Sequence, residues 1–184
     1  MKSFYCSILI ILFIAYSESC YSQAKDTQSD VMTVYRLNIL LPGFSYEKRV
    51  SKLTTLYLDA SLNIITSSGR FLSDIHLGPS AMAGVRNYYN IKKRENKGLR
   101  TTLNSANYIS PILFASTAKV RSSGPDFFGV IGAVWGLQRN YQSKFSLDLN
   151  AGLGYGFSSY PSIKELQIIN QLKLGIWLNK VKRT

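Results

Sequence analysis

Few residues in this chain combine a type and a spacing that could do chemistry. His76 is the only histidine, and a single imidazole can serve as a general base or as a proton switch. No recognisable catalytic motif surrounds it. Both cysteines lie within the first 22 residues, which we interpret as a cleaved signal, so the mature chain would have one histidine and no cysteine, too few ligands for a metal site. We therefore predict no catalytic residue, no cofactor and no bound metal, and we interpret His76 as a tolerated polar residue near a loop.

Two further patterns resemble functional motifs but occur in the wrong context. The alternate glycines Gly152, Gly154 and Gly156 could be mistaken for a phosphate-binding loop, but they lie inside a strand-like run with no helix after it. The basic run from Lys92 to Arg100 could indicate nucleic-acid binding, but no aromatic residues are interleaved in it. We expect no nucleic-acid partner.

Length and composition restrict the fold class. The chain has 184 residues, of which 46% are hydrophobic and 17% are charged, and its formal net charge is +12. This length supports one domain, and the apolar and aromatic content is far above that of disordered segments. Beyond the N-terminus no stretch approaches the roughly 18 apolar residues that a membrane-spanning helix needs. One compact domain remains, either soluble or of the membrane β-barrel kind.

The N-terminus has the features of an export signal. A lysine near the start, the apolar run Ile8–Tyr16 and small residues before position 23 match the three parts of such a signal. We predict a cleaved signal peptide over residues 1–22, followed by a flexible segment over residues 23–32. The alternatives are a short membrane anchor and a lipoprotein acylated at Cys20. Cleavage after residue 22 would remove both cysteines of the chain, so the mature protein would have no disulfide.

Strict alternation of apolar and polar residues dominates the rest of the chain. It is clearest over Phe145–Phe157 and over Thr54–Ile64, where every second residue is apolar. A period of two is typical of a strand with two chemically different faces, and it excludes a helix. Turn residues separate eight such runs, and Pro42 with Gly43 predicts a type II turn. The predicted strands are 33–41, 44–50, 54–65, 75–90, 107–119, 127–141, 145–157 and 166–178.

Alternation does not say which face is buried, so other features must decide. Glycines lie on the polar face, which suits a narrow interior, and aromatic residues collect near the strand ends, as in the two interfacial girdles of membrane barrels. We therefore predict an all-β protein, an eight-stranded antiparallel up-and-down transmembrane β-barrel whose interior is filled by side chains. By strand parity, an interior polar network with a structural role should contain seven charged residues: Arg36, Glu47, Arg49, Asp59, Arg86, Asp148 and Lys173.

Three segments carry a resemblance to a known family: Leu40–Arg49, Trp135–Arg139 and Asp148–Phe157. With the signal and the eight alternating runs, they resemble the small OmpA/OmpX-like outer-membrane β-barrel proteins of Gram-negative bacteria. The resemblance covers residues 33–178 and implies an integral barrel, outer-membrane lipids and the barrel-assembly machinery as partners, and a monomer. Many such barrels end on an aromatic residue, whereas this chain continues into a basic tail over residues 179–184.

The basic residues predict the orientation of the barrel. In the expected topology the basic turns, the longest over 92–101, lie at the end where both chain termini lie, and we assign that end to the periplasm. There, lysines and arginines can contact anionic phospholipid headgroups. The opposite end would carry moderate loops over 67–73, 121–126 and 158–165. The expected role is structural or surface-interactive. The alternatives are a soluble periplasmic lipocalin-like carrier and a lipid A-modifying enzyme that uses His76.

Overall fold

The structure is a computed structural model of the whole chain. It describes residues 30–66, 75–121, 124–158 and 164–179. The predicted signal peptide over residues 1–22 lies outside the described residues. No helix among the described residues is long and apolar enough to cross a membrane.

Across the described residues, eight antiparallel strands form one sheet in up-and-down order, as the alternation predicts. The last strand pairs with the first through Asn38 and Gly175 and the two residue pairs beside them, so the hydrogen bonding closes into a barrel-like ring. The strands are β1 (Val34–Asn38), β2 (Gly43–Arg49), β3 (Thr54–Thr66), β4 (Ile75–Asn87), β5 (Asn107–Arg121), β6 (Gly124–Asn140), β7 (Phe145–Ser158) and β8 (Lys164–Trp177).

The first hairpin is much shorter than the others. Strands β1 and β2 have 5 and 7 residues, against 13 to 17 for β3 to β8. Their turn, residues 39–42, therefore lies partway up the wall of the ring, where the Leu62 amide donates to the Pro42 carbonyl. Because β1 is short, it pairs only with the last residues of β8. Among the described residues, the part of β8 before Leu174 pairs with β7 alone.

The prediction of a type II turn at Pro42 and Gly43 is wrong. Gly43 begins β2 and does not adopt the left-handed conformation that such a turn requires. Its lack of a side chain serves a different purpose, because a Cβ atom there would collide with Ala60 and Ser61 on the neighbouring strand β3. The turn thus ends one residue earlier than its glycine indicates.

The residues between β4 and β5 form a cap over the end of the ring where the described chain begins and ends. This cap segment, residues 88–106, contains a short helix, α1 (Ile91–Asn96), instead of the simple basic turn that we expected. Four of its apolar side chains are fully buried: Tyr88, Ile91, Leu103 and Ala106. The helix ends at Asn96. Two residues later, Gly98 has a positive φ of 66° and its amide donates a hydrogen bond to the Glu95 carbonyl, as is typical of the glycine that follows a helix C-cap.

The beginning of the described chain is tied to the cap segment. The backbone of Asn104 is in the left-handed conformation, with φ 65°. Its side-chain amide accepts a hydrogen bond from the Met32 backbone amide at 2.7 Å and donates one to the Met32 carbonyl at 2.9 Å. Val31 is fully buried in the same apolar cluster as Tyr88 and Ile91. Residues 30–32, the end of the segment that we expected to be flexible, are therefore part of the packed structure.

The two faces of the sheet differ sharply in chemistry. The outer face carries large exposed apolar residues on nearly every strand, including Leu56, Leu58, Val85, Ile109, Leu113, Ile131, Leu153, Tyr155, Leu166, Ile168 and Leu172. Leu147 on β7 is an exception, because it is buried. It lies opposite Arg139 on β6 and opposite Leu174 on β8. Charged and polar side chains fill the interior near the cap segment. Farther from it the apolar side chains of Met82, Ile112, Val130 and Val134 are buried alongside the hydroxyl groups of Ser80 and Ser116, so the interior does not consist of acids, bases and glycines alone.

Candidate functional site: the charged interior

Six charged side chains are buried together inside the ring, near the cap segment. They form three ion pairs: Arg36 with Glu47 at 2.8 Å, Arg86 with Asp148 at 2.7 Å, and Lys173 with Asp59 at 2.8 Å. The first pair joins the neighbouring strands β1 and β2, whereas the second joins β4 to β7 and the third joins β8 to β3, because inward-facing residues of distant strands meet across the narrow interior. Three cations and three carboxylates balance one another, so this interior network carries no net charge.

Arg86 is the centre of the interior network. Its guanidinium lies 3.5 Å from the ring centroid of Tyr57 and 4.2 Å from that of Tyr108, so it is held between two aromatic rings. Its Nη1 donates to Gln138 at 2.7 Å and its Nη2 to Asp148 at 2.7 Å. Tyr108 in turn donates to the other carboxylate oxygen of Asp148 at 2.7 Å. Planar stacking and directed hydrogen bonds both favour arginine over lysine at this position.

Asp59 collects hydrogen bonds from the short hairpin and from β8. Its Oδ1 accepts from Lys173 at 2.8 Å and from the Ser61 hydroxyl at 2.9 Å, and its Oδ2 accepts from the Ser45 hydroxyl at 2.6 Å and from the Asn38 amide at 3.0 Å. Such a set of donors compensates for the cost of removing a carboxylate from water. Lys173 also donates to the Tyr57 hydroxyl at 2.8 Å, which links this group to the stack around Arg86.

Glu47 connects the interior network to the cap segment. It accepts from Arg36, from the Thr55 hydroxyl at 2.7 Å, and from the hydroxyl of Tyr88, which lies just beyond the end of β4. Burial, and then the nearby Glu47 carboxylate, raise the pKa of Tyr88 well above its ordinary value. The Tyr88 hydroxyl therefore keeps its proton and remains a donor at physiological pH. Gln138 extends the connection, because its amide also donates to the Leu103 carbonyl at 3.2 Å.

Two of the residues singled out from the sequence lie elsewhere. Arg49, which we expected inside the ring, is 43% exposed at the end of β2 and pairs with Asp30 at 2.8 Å. It lies at the rim, where β2 ends, and the side chain is free to reach the water-facing carboxylate. The His76 backbone pairs with Ile65 in the β3–β4 ladder, while its side chain lies outside what the structure describes.

The sequence analysis missed the uncharged members of the interior network. Tyr57, Tyr108 and Gln138 each touch at least one of the six buried charges, and all three are buried. Tyr57 could have been found, because it shares the strand parity of Asp59. Tyr88 could not, since its position depends on how the cap segment folds back over the end of the ring.

Each of the six charges has an opposite charge within hydrogen-bond distance and is almost wholly shielded from solvent. No group of three or more metal-ligating side chains occurs among the described residues. Comparison with known proteins identifies no matching family model, no matching characterised protein and no matching solved structure.

Proposed function

We propose that this chain is an integral outer-membrane β-barrel protein whose interior is sealed and whose role is structural or surface-interactive. The observation that carries the proposal is the reversal of polarity across the sheet. Three buried ion pairs lie inside, whereas outside a continuous set of leucine, isoleucine and valine side chains is exposed. A protein in water gains by the opposite arrangement, and a bilayer favours this one.

The short hairpin supports the same conclusion. Ile39 and Leu40 in its turn are 56% and 51% exposed, and Pro42 is exposed beside them. Turns in water are usually made of polar residues, glycine and proline. An apolar turn partway up the wall is favourable when it faces hydrocarbon, since its side chains then contact lipid tails and not water.

Exposed aromatic residues lie at a spacing that matches the height of the lipid-facing apolar band in membrane barrels. At the capped end, Tyr35 stacks on Tyr46 with ring centroids 5.1 Å apart, and Tyr141 lies 5.9 Å from Phe145. Tyr155 is exposed farther along β7 from Phe145. Ten residues of strand extend roughly 34 Å, or about 25 Å along the axis of a barrel whose strands tilt by about 40°, which is the usual height of the lipid-facing band.

The soluble-carrier alternative is disfavoured by the same residues. A carrier of an apolar ligand needs an empty apolar interior, whereas here Arg36, Tyr57, Arg86 and Tyr108 occupy the centre and are fully buried. An outer face rich in exposed leucine and isoleucine would also make a soluble protein prone to aggregate. No observation on the described residues favours the lipid A-modifying alternative over the structural role.

Expression of the full chain in a Gram-negative host tests the proposal. The protein should stay in the outer-membrane fraction after carbonate extraction, should require detergent for release, and should migrate differently on a gel before and after boiling. Appearance in the periplasmic extract without detergent would contradict the proposal. A known periplasmic protein and a known outer-membrane barrel, fractionated together with it, control for leakage and for incomplete extraction.

A further inference from the structure

The cap segment and the outer wall enclose a basic pocket at the edge of the apolar band. This basic pocket is a cavity of about 480 Å³ between α1 and the ends of β5 and β6. Four cationic side chains line it: Lys93, Arg94, Lys97 and Arg139. The only carboxylate in the cap segment, Glu95, is not among the lining residues. The basic pocket thus concentrates positive charge in a concave site.

Two of the four cations are held by hydrogen bonds, and the other two are exposed. Arg139 is almost fully buried at the base, where it donates to the Gln138 carbonyl at 2.8 Å and to the Asn107 side chain at 3.0 Å. Arg94 is held against the Arg100 carbonyl. Lys93 and Lys97 are exposed, and no ion pair of theirs is formed with any described residue. A buried arginine at the base with two exposed lysines at the entrance suits an anion that enters from outside.

The surroundings of the basic pocket indicate what kind of anion it would take. Tyr89 lines the pocket, and its hydroxyl accepts a hydrogen bond from the Trp135 indole at 2.8 Å. Trp135 lies opposite Ile109 in the β5–β6 ladder, and exposed apolar residues continue above them at Leu113 and Ile131. A ligand that fits both parts has an anionic head and an apolar tail. Tryptophan and tyrosine at such a boundary are typical of the headgroup level of a membrane.

From this geometry we infer that the basic pocket binds the phosphate of an anionic phospholipid headgroup, whose acyl chains lie on the wall above Trp135. This inference rests on the proposed membrane function and adds a defined lipid site to it. A phospholipid headgroup and free inorganic phosphate offer the pocket the same phosphate group. Free phosphate, however, has no acyl chains that could gain binding energy by contact with the apolar wall. We therefore expect the pocket to prefer phosphatidylglycerol to both phosphatidylcholine and inorganic phosphate.

Tryptophan fluorescence gives a local readout. The chain has two tryptophans, and Trp177 is buried while Trp135 is exposed next to the basic pocket. Phosphatidylglycerol with brominated acyl chains, added to the reconstituted full chain, should quench Trp135 at lower mole fraction than brominated phosphatidylcholine does. Equal quenching by the two lipids would overturn the inference. So would saturable binding of inorganic phosphate that is undiminished by excess phosphatidylglycerol, which would assign the pocket to a free ion.

A charge-matched pair of double variants separates the basic pocket from general attraction to anionic membranes. Lys93→Gln with Lys97→Gln should weaken the preference for phosphatidylglycerol by about tenfold, since each charge near a lipid surface contributes appreciably. Lys48→Gln with Lys52→Gln removes the same amount of charge from the capped end of the ring, outside the pocket. This control should change the preference for phosphatidylglycerol by less than about twofold. Equal losses in both would overturn the inference.

The failure of the lipid site can be distinguished from the failure of the membrane proposal. Each preparation is first tested for heat-modifiable migration in vesicles of phosphatidylcholine alone. A wild-type chain that passes this test and binds both lipids equally contradicts the lipid site only. A wild-type chain that does not enter vesicles contradicts the proposed function itself. Native mass spectrometry of the detergent-solubilised protein provides a second measure, in which phosphatidylglycerol should remain bound to wild type and be lost from the Lys93 and Lys97 variant.

Discussion

The guanidinium carbon of Arg86 lies over the ring of Tyr57, 3.5 Å from the ring centroid. This contact joins β4 to β3 inside the ring, and the Arg86 bond to Asp148 joins the same side chain to β7 on the far wall. One side chain therefore crosslinks strands that are far apart in the sheet. The interior is held together by such polar links near the cap segment and by apolar packing farther away.

Breaking the central ion pair should be costly. Arg86→Met leaves the Asp148 carboxylate buried without its cation, and we expect a loss of about 3–5 kcal/mol in the free energy of unfolding. Adding Asp148→Leu to Arg86→Met should recover part of the loss, because both charges are then removed. The change in the free energy of unfolding is measured by urea unfolding of the protein in vesicles, with tryptophan fluorescence as the signal. The exposed pair of Arg49 with Asp30 is the control, since Arg49→Met should cost about 0–1 kcal/mol.

A charge on the outer wall distinguishes a bilayer from water. Leu113 lies near the middle of β5 and is about half exposed. Leu113→Arg should destabilise the inserted protein by about 2–4 kcal/mol and reduce its yield in the membrane fraction. Val50→Arg, in the exposed turn between β2 and β3, should be nearly neutral, because that turn lies outside the apolar band. If Leu113→Arg left both stability and fractionation unchanged, the outer wall would not be facing lipid.

A methyl group at Gly136 should disrupt the stack around Arg86. A Cβ atom there would collide with the ring of Tyr108, which is buried and cannot move away from Arg86 and Asp148. We expect Gly136→Ala to cost about 1–3 kcal/mol of unfolding free energy. The matched control is Gly156→Ala, whose Cβ atom would meet the Cγ atom of Gln167, and this partly exposed side chain can relieve the contact by changing its rotamer. Similar losses from both substitutions would show that general strand effects, and not the Tyr108 contact, are responsible.

The cap segment should depend on Asn104. Asn104→Ala removes both hydrogen bonds to Met32 and places alanine at a positive φ, so we expect the cap to loosen at a cost of about 1–3 kcal/mol. Limited trypsin digestion is a direct measure, because the cap segment contains several lysines and arginines. Asn96→Ala, in the exposed last position of α1, is the control and should leave the digestion rate unchanged. An unchanged rate in Asn104→Ala would mean that other contacts hold the cap.

Strand number, order and most strand bounds could be predicted from the alternation, as β3 and β7 illustrate. The predicted 54–65 and 145–157 each differ from the observed strand by one residue. The short hairpin and the cap segment could not be predicted. The position of Gly43 depends on its approach to Ala60 and Ser61, and the helix α1 depends on burial of Ile91 against the tyrosines of other strands.

The sequence by itself determined the all-β architecture, because a period of two leaves each strand with two faces and only a sheet can bury one of them along its whole length. Only the tertiary structure decided which charges meet. Parity places Arg36, Arg86 and Lys173 on the inner face, but the choice of Glu47, Asp148 and Asp59 as their partners follows from strand register and from the narrow interior. Arg49 has the same parity and lies at the rim, since its strand ends there.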